Sequence, residues 1–176
     1  MADGYRAASF LSRSSNKGKR VERLTLGKDE KLRHKTLVDA LFAEGKSLYD
    51  FPLRLTYRIL DDAGLRASFR REPPERIGPM QMLITVPKKK LRRAVDRVRM
   101  RRLIREAYRL NRKGLKLEAA GNPDVRTVSM AFVYLGNEKT DYATVEKKMK
   151  RLLGKIELPE GAKETDGPED RRDKDS

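Results

Sequence analysis

The chain contains no cysteine, which excludes disulfides and thiolate metal sites. It has a single histidine, His34, too few for a histidine-based metal cluster. No apolar run approaches the roughly 20 residues that a helix needs to span a bilayer. The N-terminus also lacks the apolar stretch of a signal peptide. Acidic residues are in short supply: 26 Asp and Glu stand against 42 Lys and Arg, a formal net charge of +16. That imbalance is silent about fold but calls for a polyanionic partner. Nucleic acid is the common case, and an anionic membrane surface gripped by a basic amphipathic helix is the rival. The chain reads as a cytoplasmic protein, and nucleic acid rather than a membrane is the expected partner.

A length of 176 residues fits one domain with disordered ends. Residues 1–28 carry seven basic side chains (Arg6, Arg13, Lys17, Lys19, Arg20, Arg23 and Lys28) against Asp3 and Glu22, with no apolar period. This is the composition of a disordered basic arm. Residues 158–176 reverse the sign, with seven acidic and four basic residues among Pro and Gly, as in a disordered acidic tail. The folded domain is expected over residues 29–157.

Within it, Leu37, Val38, Leu41 and Phe42 recur at helical spacing with Gly45 behind them. They predict a helix over about Lys35–Glu44, with His34 near its start and Leu32 tucked in ahead. Leu53, Leu55, Tyr57 and Ile59 alternate with Arg54, Thr56 and Arg58, the period of a half-buried strand, and Lys46–Tyr49 is a shorter piece to pair beside it. Asp61–Pro79 holds Gly64, Gly78 and three prolines, which predicts a loop. Met80, Met82, Ile84 and Val86 alternate until Pro87 closes that strand. Asn122-Pro123-Asp124 marks a turn, and Val128–Leu135, apolar on both faces apart from Ser129, suits a central strand. Thr140 or Asp141 can cap a last helix bearing Tyr142, Val145, Met149, Leu152 and Ile156. The order αβββαβα gives an α+β sandwich, a single sheet with helices packed on it.

Lys88–Lys113 is the densest segment. Its 13 basic residues face only Asp96 and Glu106, and it is expected to form a helix. At about 100° per residue, Met100, Leu103, Ile104, Ala107, Tyr108 and Leu110 share one arc. Arg101, Arg102, Arg105, Arg109 and Arg112 fill the opposite side, with Arg97 and Arg99 at its edges. The helix should lie on the sheet and present an arginine comb outward. An ordinary solvated face mixes charges at i,i+4, and this one hardly does. Arginine suits phosphate because its planar fork donates two parallel hydrogen bonds and can stack on an unpaired base. Val98 falls on the charged side, where it adds nothing to a core.

The run from Ala94 to Leu110 resembles the signature of the ribonuclease P protein family, roughly A-V-x-R-N-R-x-K-R-x-x-R-E-x-x-R after a Lys-Lys pair. Here Lys88-Lys89 supplies the pair, followed by Ala94, Val95, Arg97, Arg99, Arg101, Arg102, Arg105, Glu106 and Arg109. Leu41-Phe42-Ala43-Glu44-Gly45 looks like the family's first helix and its terminating glycine. The resemblance covers about Leu32–Ile156. It departs from the pattern at Val98, where the family has Asn, and at Arg101, which replaces a frequent Lys. Val98 removes a donor and acceptor, so a contact or hydrated ion held by that Asn has no counterpart here.

The resemblance implies a ribosomal-S5-domain-2-like sandwich with a left-handed crossover. It also implies that an RNA is the catalyst, with the protein assisting removal of the 5′ leader from precursor tRNA. Lys88, Lys89, Lys90, Arg92, Arg93, Arg97, Arg99, Arg101, Arg102, Arg105 and Arg109 would grip the catalytic RNA. A cleft with Val38 and Phe42 on its helical side, and Arg54, Thr56, Arg58 and Thr85 on its sheet side, would hold the leader. Mg²⁺ would be bound mainly by the RNA, and neither a catalytic protein residue nor an obligate protein partner is expected. The alternative is a ribosomal or assembly protein that binds RNA structurally. It accounts for the charge but not for the motif spacing.

Overall fold

The computed structural model describes residues 25–74 and 77–159. The expected arm before Thr25 and the tail after Pro159 lie outside the described residues. Leu26 and Leu158 both pack against the core, so the folded body passes slightly beyond both expected ends.

The elements in chain order are α1 (Lys35–Glu44), β1 (Lys46–Asp50), β2 (Leu53–Leu60), α2 (Asp62–Ala67), β3 (Met80–Thr85), α3 (Ala94–Asn111), α4 (Lys113–Gly121), β4 (Thr127–Tyr134) and α5 (Tyr142–Leu153). The expected α+β order is present, with two additional short helices. The four strands form one sheet in the order β1-β2-β4-β3, antiparallel except for the parallel β3–β4 pair. The outer edge of β3 is covered by residues 30–32: Met82 N–H donates to Glu30 O (2.9 Å) and Leu32 N–H to Met82 O (3.0 Å). An edge so paired is closed to stray strands.

Period two assigns the two faces of the sheet. Leu53, Leu55 and Tyr57 of β2, Met80 and Met82 of β3, and Met130, Phe132 and Tyr134 of β4 turn toward α3 and α5 and form the larger core. Ala131 and Leu60 turn the other way and meet Leu37 and Leu41 of α1 in the smaller one. With helices on both faces, β4 is buried at every position, which explains its unbroken apolar run. Gly45 lets α1 turn directly into β1. A Cβ there would lie 2.2 Å from Leu41 O and 2.8 Å from Thr56 Cγ2, so close approach rather than unusual torsion requires glycine.

The structure corrects several expectations. The expected loop Asp61–Pro79 begins with α2, whose capping Asp61 carboxylate accepts from Gly64 N–H (2.8 Å) while Leu65 is buried. Glycine at 64 made the segment look helix-poor, and the cap compensates. Helix α4 was not anticipated, although Leu115 and Ala119 are buried at i,i+4. The arginine helix begins at Ala94 rather than Lys88. Lys90 and Leu91 N–H both donate to Pro87 O, and buried Leu91 draws Lys88–Arg93 into a turn. Leu110, placed on the apolar arc, is 41 % exposed at the end of α3. Ile156 is buried as expected but lies after α5 has ended. Asp141 caps α5, accepting from Thr144 N–H, whereas Thr140 hydrogen-bonds the Tyr134 hydroxyl.

Candidate nucleic-acid interface

Helix α3 presents its charged side as the wheel requires, because Met100, Ile104, Ala107 and Tyr108 are all buried on the sheet side. Arg99, Arg102 and Arg105 are exposed and Arg101 is half-buried. None of these four makes an ion pair among the described residues. Val98 is 38 % exposed among them. Lys88, Lys89, Arg92 and Arg93 are exposed in the turn before the helix, and Lys90 donates to Asn137 Oδ1 (3.2 Å). Lys89–Arg93 and Asn137–Lys139 line a shallow cavity of about 610 Å³ next to the positive end of α3.

Three of the expected comb arginines serve the protein itself. The Arg97 guanidinium donates to Leu91 O (2.9 Å) and Arg92 O (2.6 Å), tying the basic turn to the helix start. Arg109 forms a fork with Glu106 (2.8 and 2.5 Å). Hydrogen bonding from Arg109 holds the Glu106 carboxyl below the usual glutamate range and raises Arg109 in turn. Arg112, expected to point outward, is instead 4 % exposed. It meets Glu30 at 3.0 Å and also donates to Thr25 O and Arg109 O (both 3.1 Å), while Lys116 pairs with the same Glu30. Glu30 is fully enclosed, and a buried carboxylate persists only when it is paired and hydrogen-bonded. Beside this pair, burial pushes the Tyr108 hydroxyl well above its ordinary range, and the Glu30 charge adds to the shift.

The second surface lies on the opposite side of the sheet. Helix α1 packs over β2 and β4 and leaves a strip of the same face partly exposed at Tyr49, Arg54 and Thr85. Phe42 is 46 % exposed at the rim, while Val38 is half-buried against the smaller core. Register places Tyr49, Arg54, Val133 and Thr85 in one row across all four strands on this face. Arg54 and Thr85 thus share the floor of the strip, and the Arg54 guanidinium lies 6.0 Å from the Tyr49 ring centroid. Thr56 and Arg58 are less available than the sequence led us to expect. Thr56 is buried beneath the α1–β1 turn and bonds Ser47 (3.1 Å), and Arg58 is held by Glu44 (2.6 Å). Sequence reasoning overlooked Tyr49. The alternation of Ser47 and Tyr49 with Leu48 was the available signal. His34 precedes the first residue of α1 without a side-chain capping bond, and its ring lies edge-on to Phe69 with ring centroids 5.6 Å apart.

The sequence profile of the Ribonuclease P family matches residues 26–157, which include every helix and strand among the described residues. The chain belongs to the ribonuclease P protein family. It is similar to the ribonuclease P protein component of Porphyromonas gingivalis, 35 % identical over 131 residues that cover 74 % of this chain and 85 % of that protein. The corresponding component of Chlorobium phaeobacteroides is 32 % identical over 142 residues, covering 77 % and 90 %. Among solved structures, the RNase P protein from Thermotoga maritima superposes with a TM-score of 0.51 at 24 % identity, covering 73 % of this chain and 99 % of that one. That likeness establishes the fold. Membership makes this chain a protein subunit of ribonuclease P, a ribonuclease of tRNA processing, with the ribonuclease P RNA as partner. No helix among the described residues is long and apolar enough to cross a membrane.

Proposed function

We propose that the two surfaces divide one task between two RNAs in the cytoplasm. The comb (Arg99, Arg101, Arg102 and Arg105) and the basic turn (Lys88, Lys89, Lys90, Arg92 and Arg93) bind phosphates of the catalytic RNA. Arg97 and Arg109 contribute by fixing the turn and the helix surface. The strip beside α1 takes the single-stranded 5′ leader of precursor tRNA: Phe42 and Val38 offer apolar contact, and Arg54 and Thr85 offer a cation and a hydroxyl. Thr56 and Arg58 shape its floor and wall. A charged groove with an exposed aromatic is the usual recipe for single-strand binding.

The observation that supports this division best is the placement of the two surfaces on opposite faces of one sheet, so that neither RNA obstructs the other. Bond cleavage is assigned to the RNA, with Mg²⁺ held mainly by its phosphate oxygens, a donor type suited to a hard cation. No protein residue is assigned as acid, base or nucleophile. The arginines reduce the repulsion between two polyanions brought together. Reconstitution tests the proposal. Protein added to the catalytic RNA should accelerate precursor cleavage at low Mg²⁺, and removal of the leader should diminish the gain. Absence of stimulation would refute the assignment.

A further inference from the structure

We propose that the strip does not end at Arg54 but continues onto β1. There Tyr49 and Arg54 form a further subsite for one unpaired nucleotide, its base stacked on the Tyr49 ring and its phosphate on the Arg54 guanidinium. The inference rests on the leader-binding reading above and extends it by one position.

Four observations carry it. First, Tyr49 and Arg54 are direct cross-strand partners, so both side chains stand on the face that α1 only partly covers. Helix α1 packs on β2 and β4, and Tyr49, on the edge strand beyond them, is 62 % exposed. Second, the neighbours of Tyr49 in sequence point elsewhere: Leu48 packs into the larger core, and Asp50 binds Lys148 of α5 (2.5 Å). An aromatic ring left outward on an edge strand contributes almost nothing to the fold. Third, the Arg54 guanidinium lies against the Tyr49 ring, a cation–π arrangement that keeps the charge beside the stacking surface. Fourth, Arg54 Nε is buried without a hydrogen-bond partner, and Arg54 makes no ion pair among the described residues. Arg58, two positions along, is by contrast neutralised by Glu44.

With no carboxylate partner among the described residues, the half-buried Arg54 guanidinium keeps its charge uncompensated, and a phosphate oxygen is the acceptor that its planar fork suits. A planar ring next to a phosphate-seeking cation matches a nucleotide, which has a π-face and a phosphate at a fixed separation. Stacking discriminates weakly among bases, so the subsite tolerates any leader sequence. It measures leader length instead: a precursor must have enough unpaired nucleotides to pass Phe42 and reach β1.

The test uses the full chain assembled with its RNA subunit and precursor tRNAs whose leaders shorten by one nucleotide at a time. Separate precursors carry 2-aminopurine at successive leader positions. Tyr49→Ala should weaken binding of long-leader precursors about 5- to 150-fold, the range for loss of one stacked base. Binding of the shortest leaders should be unchanged. Fluorescence quenching should disappear at one leader position only, and Tyr49→Phe should preserve both readouts. Arg54→Gln, which removes a cation shared by the strip and the subsite, should flatten the salt dependence of leader binding. Because Tyr49 is exposed, the urea midpoint of Tyr49→Ala should match the parent, which separates a binding effect from misfolding. If Tyr49→Ala binds every leader like the parent while Phe42→Ala weakens binding, the β1 subsite is wrong and the strip beside α1 stands. If Phe42→Ala is also without effect, the leader-binding reading itself falls.

Discussion

The middle and the C-terminal end of α3 hold the same residue type in opposite circumstances. Arg101, Arg102 and Arg105 make no ion pair among the described residues. Arg112 is enclosed with Glu30, and Lys116 reaches the same carboxylate. The first group leaves repulsion unrelieved in the free protein, at a few tenths of a kcal/mol per like pair, and is suited to hold a partner. The second fastens residues 25–30 to the helix and belongs to the fold. One local sequence pattern, a basic residue every three or four positions, therefore covers two roles. The difference is set by an acidic residue far away in the chain.

Breaking the buried end should have the largest effect. Glu30→Ala leaves Arg112 desolvated without its carboxylate and should cost about 3–5 kcal/mol of stability, read from urea unfolding. Arg105→Ala should stay within about 0.5 kcal/mol of the parent in the same assay. Equal losses at the two positions would erase the distinction. The comb comes next. Arg101→Ala combined with Arg105→Ala should weaken RNA binding about tenfold and reduce the slope of log K against log[salt] by about 1.4–1.8, two phosphate contacts' worth. An unchanged slope would show that these arginines do not touch phosphate. A smaller effect is expected at Val98→Asn, which restores a donor and acceptor among the free arginines. A gain of about 0.5–1 kcal/mol in RNA affinity, measured by titration, would place the position in contact. Identical affinity would place it outside.

The smallest effect concerns acid. The Glu106 carboxyl titrates below its ordinary value of 4.5 because Arg109 hydrogen-bonds its charged form. A carboxyl depressed in the folded state stabilises the fold above that ordinary value, and the contribution disappears as pH falls through the folded one. Glu106→Gln should therefore narrow the stability difference between neutral and acidic pH slightly. A profile identical to the parent's would mean that solvent screens the pair completely.

The fold was legible wherever a periodicity was long enough. The i,i+4 stripe of α1, the alternation of β2 and the all-apolar β4 each placed their element within a residue or two. What stayed hidden depended on distant partners. Arg112 looks like Arg105 on a helical wheel, since Glu30 enters only through the tertiary fold. The turn over Lys88–Arg93 continues the basic run of α3, and only the burial of Leu91 and the Pro87 carbonyl break the helix there. In the strip beside α1, alternation assigned Arg54, Thr56 and Arg58 to one face correctly. It could not tell that Gly45 brings α1 down onto Thr56 or that Glu44 reaches Arg58.

The sheet order has a consequence for the timing of folding. Strands β2 and β3 never pair with each other; both pair with β4, the last of the four strands in chain order. A nascent chain that stops short of Thr127 has a hairpin, a loose strand and a highly charged helix with no complete layer to lie on. Because pairings between residues far apart in sequence repay their closure entropy only when made, the two faces of the sheet should mature together in one late cooperative step. A chain truncated before Thr127 is expected to show no slow-exchanging amides in β2 or β3, and protection there would mean that one surface can form without the other.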